Sequence, residues 1–271
     1  MGKKIKLKDG NQIPVLGLGT WQLTGKECIK IVKKALELGY NHIDTAEAYG
    51  NHKEIGKALK GFGRSDIFIT SKLWRSDLDY KDALKACNKA LSDLGIEHLD
   101  LYLIHWPNRN VPMEETFRAL KELIEENKIK SAGVSNFTIN HLKDAIEISE
   151  IPINVNQVEF HPYLYQKELW DFCKDNNIQI TAYSPLGRTN IFDDPTIIEL
   201  TKKYDKTPAQ ICLRWEIEKG LVVIPKSSSE NHLKQNMEIF NWKLKEEDIE
   251  KIDSIDKHHR FVKTTFHEFD Y

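Results

Sequence analysis

A closed barrel of eight parallel strands wrapped by helices, the (β/α)8 or TIM barrel, is the architecture this sequence predicts, with an N-terminal β-hairpin before it and extra helices around it. Eight short apolar runs alternate with amphipathic segments of helical period. The 271 residues match the roughly 250 that one such barrel consumes. The opening stretch alternates polar and apolar residues around an Asp-Gly turn, a strong local hairpin signal.

The hairpin comes first, from Lys4 to Ile13 with Asp9-Gly10 at its tip, and is expected to plug the barrel bottom. Candidate strands follow at residues 15–19, 41–44, 67–71, 99–104, 132–135, 154–159, 179–183 and 222–225. Between them, Ile29, Val32 and Leu36 share a helical face, and Gly39 stands where a left-handed C-cap is needed. Pro112 opens a segment with Met113, Phe117, Leu120 and Ile124 on one face, and Glu114 and Glu115 occupy its dipole-favoured first turn. Asp194-Pro195 and Thr207-Pro208 each join an N-cap residue to a proline at the first helical position. Two helices therefore precede the eighth strand, one of them extra.

An open doubly wound sheet is the other architecture that strand-helix alternation permits. Its nucleotide-binding form carries Gly-x-Gly-x-x-Gly after the first strand, and Gly17-Leu18-Gly19-Thr20-Trp21-Gln22 breaks that pattern at the last position. No low-complexity stretch or long linker divides the chain, so residues 1–271 read as one domain.

Composition narrows the partners. Hydrophobic residues at 40% and charged residues at 30% supply a large core under a solvated surface. A net charge of -2 gives no strong field to gather nucleic acid or anionic lipid, so the expected partner is a small molecule. No apolar stretch follows the charged start at Met1-Gly2-Lys3-Lys4, and Lys6 occupies the place where a myristoylation signal wants Ser or Thr; the expected compartment is the cytoplasm. Cys28, Cys87, Cys173 and Cys212 are far apart in sequence and form no Cys-x-x-Cys pair, so they read as reduced packing thiols.

In a barrel the active site is built at the carboxyl ends of the strands. Asp44 ends one candidate strand, Tyr49 sits in the loop beyond it, Lys72 follows the third strand and His105 the fourth. The set suits carbonyl reduction, in which hydride arrives, negative charge develops on oxygen and an acid donates a proton. Tyr49 is the acid in this reading, and Lys72, held charged by Asp44, is expected to poise the phenol closer to neutrality. At ~4 Å and an effective dielectric of about 20, that attraction is roughly 4 kcal/mol, or about three pKa units. His105 would offer a hydrogen bond to the carbonyl oxygen. Taken singly, each of the four is more often a cap or a solvated polar group.

The run Gly39-Tyr40-Asn41-His42-Ile43-Asp44-Thr45-Ala46-Glu47-Ala48-Tyr49 resembles the aldo-keto reductase signature. The resemblance extends in the family's order through Ser71-Lys72-Leu73-Trp74, Leu103-Ile104-His105-Trp106-Pro107, Gly133-Val134-Ser135-Asn136-Phe137, Asn156-Gln157-Val158-Glu159 and Ile224-Pro225-Lys226-Ser227. It implies Asp44, Tyr49, Lys72 and His105 as the catalytic tetrad of an NADP(H)-dependent reductase of small carbonyl compounds, with some use of NADH. Ser135, Asn136 and Gln157 then match groups that bond the nicotinamide carboxamide, and Tyr183 the aromatic that stacks on its ring. Thr20 and Trp21 line up with the first barrel loop, Ser184, Pro185, Leu186, Gly187 and Arg188 with the loop beside the pyrophosphate, and Lys226, Ser227, His232, Gln235 and Asn236 with the adenosine end. By themselves Tyr183 reads equally as a core aromatic, and Asn136 as an N-cap for a helix from Ile139.

Trp21, Trp74 and Trp106 adjoin these residues and, with Tyr49 and His105, are expected to wall an apolar substrate pocket; packing is the alternative. His52, His161, His258 and His259 lack a convincing ligand spacing, so no metal is expected. His52 stands where many family members have Glu, and His232 where Arg often grips the 2′-phosphate. The short tail after Ile255 is similar to that of small microbial members, including reductases of 2,5-diketo-gluconate and methylglyoxal, and the family default is a monomer. Two other functions compete: a Schiff-base aldolase using Lys72, and a nucleotide-binding regulatory subunit of the same superfamily.

Overall fold

The computed structural model describes residues 3–271, so Met1 and Gly2, where the stretch read for targeting signals begins, lie outside the described residues. Strand β1 (Lys4–Lys6) pairs antiparallel with β2 (Gln12–Pro14) in the register Lys4 to Pro14, Ile5 to Ile13 and Lys6 to Gln12. Gly10 turns the corner at φ 96°, a backbone region costly for any side chain. Leu7 and Ile13 are buried against Phe68, Leu101, Leu103, Val155 and Val222, so the hairpin stoppers the barrel with an apolar layer.

Strands and helices then alternate through β3 (Leu18–Gly19), α1 (Gly25–Leu38), β4 (His42–Asp44), α2 (His52–Leu59), β5 (Phe68–Leu73), α3 (Tyr80–Leu94), β6 (Leu99–Ile104), α4 (Met113–Glu125), β7 (Ile129–Ser135), α5 (Ile139–Ile148), β8 (Val155–Glu159), α6 (Lys167–Asp175) and β9 (Gln179–Tyr183). Helices α7 (Pro195–Tyr204) and α8 (Pro208–Glu218) both precede β10 (Val222–Val223), and α9 (Glu230–Met237) and α10 (Glu246–Asp253) follow it. Neighbouring strands from β3 to β10 pair in parallel in sequence order. The sheet meets its own start through parallel bridges from Leu16 to Val223 and from Gly19 to Lys226. A Cβ on Gly19 would stand 2.6 Å from the Ile224 carbonyl oxygen, and one on Gly17 2.7 Å from the His42 ring. The glycine pair thus serves strand approach, which accounts for the missing third glycine of a phosphate loop.

Local chemistry explains the helix ends. Gly39 closes α1 at φ 101°. Asp194 accepts from the Thr196 amide at 2.9 Å, and Thr207 and Gln210 cap α8 reciprocally. Thr138, not Asn136, caps α5, exchanging hydrogen bonds with His141. All four cysteines are buried and free, within α1, α3, α6 and α8. Among the described residues, no helix is long and apolar enough to cross a membrane.

One core residue breaks the pattern. Glu216 of α8 is fully buried and neither carboxylate oxygen has a hydrogen-bond partner, so burial drives its pKa well above the ordinary carboxyl range. A carboxyl raised on folding contributes most stability below its unfolded pKa of about 4.3, and that contribution is lost as pH rises through the folded value. Glu216→Met is therefore expected to raise the midpoint of thermal unfolding, by a margin that widens between about pH 5 and about pH 8. A margin independent of pH would show that Glu216 keeps its ordinary pKa in the folded chain.

Candidate active site

Strand side chains alternate between faces, so each strand can be read upward in steps of two. Phe68 belongs to the apolar bottom layer, Thr70 meets His42 Nε2 at 3.0 Å above it, and Lys72 reaches the cavity level. Leu101, Leu103 and then His105 repeat the climb from the next strand, as do Val155 and Gln157 from β8. β5 runs on to Leu73, so Lys72 lies inside its strand and not after it. The result is a cavity of about 650 Å³ at the carboxyl ends of the strands, with Asp44, Tyr49 and His105 in its wall.

Lys72 is completely buried, and its ammonium donates to Asp44 Oδ1 at 2.6 Å, to the Thr45 carbonyl at 2.8 Å and to the Tyr49 hydroxyl oxygen at 3.3 Å. Gln157 Nε2 donates to the other Asp44 oxygen at 2.7 Å. Burial pulls the Lys72 pKa down and the Asp44 carboxylate resists. The His105 imidazole is held well below its ordinary range by burial and then by the charge on Lys72. Its ring is neutral, with a single N–H to offer.

The Tyr49 phenol departs from the sequence expectation. Burial first, and the Asp44 charge second, hold it well above its ordinary range. Lys72 does not bring it toward neutrality, because desolvation of a phenolate in this wall outweighs one ammonium that is itself neutralised by Asp44. Its contact matters in another way. Since Lys72 donates to the phenol oxygen, the phenol keeps its own proton free for transfer.

The neighbouring amides form one network. Ser135 Oγ donates to the Gln157 carbonyl at 2.8 Å, while Asn136 Nδ2 donates to the His105 carbonyl at 2.9 Å and to Ser135 Oγ at 3.1 Å. The Tyr183 hydroxyl donates to Asn136 Oδ1 at 2.8 Å, which fixes its ring in the cavity wall. Asn136 adopts φ 63°, a conformation that Asn tolerates better than most residues. Thr20, Trp21, Ser184, Pro185, Leu186, Arg188 and Lys226 also line the cavity. Gly187, Ser227, His232, Gln235 and Asn236 lie outside its lining. Gly187 packs toward Ile191 and Phe261, Ser227 and Ser229 bond each other, His232 is exposed in the first turn of α9, Gln235 is half-buried and Asn236 is buried.

Trp21 is 49% exposed and meets the Tyr49 ring edge-on at 5.0 Å. Trp74 meets His105 at 5.2 Å, and both Trp74 and Trp106 meet Phe266, at 5.6 and 5.4 Å. Phe266, Thr264 and Val262 complete the wall from the C-terminal tail, which sequence reasoning missed. The tail is pinned on both sides of the cavity. Glu159 accepts from the Phe261 and Val262 amides at 2.7 and 3.1 Å, and Glu268 accepts from Arg109 Nε at 2.9 Å. His52 bonds Ser71 at 2.9 Å, His161 lies 3.1 Å from Glu159, and His258 and His259 are exposed on the tail. Among the described residues, no group of three or more His, Cys, Asp or Glu is arranged to hold a metal ion.

Comparison with known proteins agrees with this geometry. The profile of the Aldo/keto reductase family matches residues 15–257. The chain is 42% identical over 259 residues to a glyoxal reductase of Bacillus subtilis, covering 94% of each protein. It is 41% identical over 258 residues to the methylglyoxal reductase DkgA of Escherichia coli, covering 93% of each. An aldo-keto reductase from a Medee basin deep-sea metagenome superposes with a TM-score of 0.94 at 42% identity, over 99% of this chain and 100% of that one. A Bombyx mori aldo-keto reductase in complex with NADP superposes with a TM-score of 0.93 at 31% identity, over 99% of both chains. With the family profile matching most of its length and near-complete coverage by these relatives, the chain belongs to the aldo/keto reductase family of oxidoreductases.

Proposed function

We propose that this protein is an NADP(H)-dependent reductase of small aldehydes, ketones or keto-sugars, acting as a cytoplasmic monomer with residues 1–271 as one catalytic unit. The observation that carries the reading is the hydrogen bond from Lys72 to the phenol oxygen of Tyr49, with Asp44 behind Lys72 and neutral His105 beside the phenol. That order leaves one acidic proton at the cavity surface and one N–H to orient a carbonyl oxygen.

The cavity residues fit the cofactor. Tyr183 supplies an aromatic wall, and Arg188 and Lys226, which form no ion pair among the described residues, supply cations for phosphate groups. When bound, the reduced nicotinamide supplies the hydride. Tyr49 passes its proton to the carbonyl oxygen, and the charge on Lys72 stabilises the phenolate as it forms. His105 orients the oxygen, while Trp21, Trp74, Trp106 and Phe266 shed water and favour an apolar body on the substrate. The Schiff-base alternative is not favoured, because Lys72 is fully buried and its three N–H groups are committed to Asp44, Thr45 and Tyr49. A substrate wall this complete is also more than a purely regulatory nucleotide site requires. The direct test is a panel of dicarbonyls, aromatic aldehydes and keto-sugars followed by NADPH absorbance; no turnover on any of them would overturn the reading.

The adenosine end is assigned to Lys226, Ser227, His232, Gln235 and Asn236. His232 offers charge to a 2′-phosphate only when protonated, whereas Arg would offer it permanently and with forked donors. His232→Arg is expected to tighten NADPH binding by about 1–2 kcal/mol at pH 8, the worth of a charge-assisted hydrogen bond, and to leave NADH unchanged. Fluorescence titration of both cofactors checks this, and equal effects on the two would move the phosphate site elsewhere.

A further inference from the structure

Asn51 stands at the N-cap position of α2, and Asn is among the residues most favoured there because its side chain can accept from the first free amides of the helix. Here it caps nothing. The side chain is completely buried and turns away from its own helix. Its Oδ1 accepts from the Thr45 hydroxyl at 2.7 Å, and its Nδ2 donates to the carbonyls of Thr20 and Leu23, each at 3.0 Å. A helix start left without its best available cap is a local rule broken, and such breaks mark functional demands.

The three bonds converge on the proton donor from two sides. The Thr45 carbonyl is one of the acceptors that orient the Lys72 ammonium, at 2.8 Å, and Asp44 is another. With two of its three N–H groups aimed at those oxygens, the third is left for Tyr49. On the other side, the turn from Thr20 to Leu23 carries Trp21, whose ring meets Tyr49 edge-on. Thr20 is tied to the same strand end, since its hydroxyl and its amide both donate to the Asp44 carbonyl, at 2.8 and 3.1 Å.

We propose that Asn51 is a positioning residue for the Lys72–Tyr49 pair, holding the Thr45 carbonyl on Lys72 and the Trp21 turn on Tyr49 through one buried amide. The inference rests on the reductase reading for its rate effect, but its geometric content stands apart from it. Asn51 touches neither Tyr49 nor Lys72 in this network; it acts through Thr45 and through the Thr20–Leu23 turn.

The experiment compares Asn51→Ala, Thr45→Val and Thr45→Ser with the natural protein. It measures kcat per NADPH-titrated site and hydrogen exchange of the peptide covering residues 20–23. Asn51→Ala is expected to lower kcat at least tenfold and to raise exchange in residues 20–23, while the NADPH dissociation constant changes less than threefold. Thr45→Val keeps the side-chain shape but removes the hydroxyl donor, and it is expected to lower kcat about fivefold or more. Thr45→Ser restores the donor and should return kcat to within threefold of natural. A residue that serves stability alone would lower the yield of titratable sites without changing kcat per site. Should Asn51→Ala not fold, the two Thr45 variants decide the matter. Equal kcat for Thr45→Val and Thr45→Ser overturns the proposal, as does unchanged exchange in residues 20–23 of a folded Asn51→Ala. If the natural protein turns over no carbonyl, the reductase reading falls, and the exchange arm still decides whether Asn51 holds the turn.

Discussion

Tyr49→Phe is expected to lower kcat for carbonyl reduction by about 10²–10⁴-fold, the range that one positioned proton donor contributes. The ring stays, so its edge contact with Trp21 and its place in the wall stay as well. Cofactor affinity should change by less than about threefold, since an interaction made only with the reacting oxygen lowers kcat and kcat/KM together. The pH profile carries the same argument. Burial and Asp44 hold the Tyr49 phenol up, while burial and Lys72 hold the His105 imidazole down. Neither group changes charge between about pH 7 and about pH 9 in the natural protein, so kcat for reduction should be flat across that window. Stopped-flow measurement of a single NADPH turnover reads both effects. A Tyr49→Phe variant within fivefold of the natural rate would remove Tyr49 from the proton transfer.

Lys72→Met should produce two separable losses. The first is stability: Asp44, itself buried, loses a partner at 2.6 Å, and breaking a buried ion pair from one side costs about 3–5 kcal/mol. The second is rate, because the phenolate that forms on Tyr49 loses the only ammonium in contact with its oxygen among the described residues. The double variant Lys72→Met with Asp44→Asn tells them apart. Removing both charges should recover most of the unfolding free energy in urea and none of the turnover. A double variant that recovers activity together with stability would reduce Lys72 to a structural lysine.

The parts legible in the sequence were those with local causes. The Asp9-Gly10 turn, the Gly39 cap and the two Asx/Thr-Pro helix starts each depend on a few adjacent residues, and each lies where it was read. Periodicity located all eight strands but blurred their ends. β7 begins at Ile129, ahead of the expected 132, because Lys130 points outward in a strand that is otherwise buried and hides the apolar run. The helix after Asn136 begins at Ile139, where it was expected, but its cap is Thr138, because the Asn136 side chain is committed to His105, Ser135 and Tyr183. The tail was opaque for a different reason. Val262, Thr264 and Phe266 alternate with exposed Lys263, Thr265 and His267, but a Thr among the inward positions keeps so short a run from reading as an apolar strand, and the groups that pin the tail, Glu159 and Arg109, are more than a hundred residues away. The only sequence signal was the density of aromatics from Phe261 to Tyr271. The direction of the Tyr49 pKa was likewise out of reach, because it depends on how much water the wall admits and not on which charges are near.

Where the barrel closes, its two shortest strands face each other. β3 and β10 have two residues each, and three backbone hydrogen bonds join the segments that carry them, from Gly17 to the Val223 carbonyl at 2.9 Å, from Val223 to the Val15 carbonyl at 2.8 Å and from Gly19 to the Pro225 carbonyl at 3.2 Å. Pro225 has no N–H to give in return. With so few bonds across it, this seam is expected to open locally at low energy, and its amides are expected to be among the first of the barrel to exchange with solvent. Thr20 and Trp21 stand on one lip of it and Lys226 on the other, all three on the cavity side. A ligand that touches both lips therefore acts as a clasp. Its binding energy is withheld from every state in which the seam is parted, so the slowing of deuterium uptake by the seam peptides when the guest is added would report how tightly the guest holds, before any chemistry is measured.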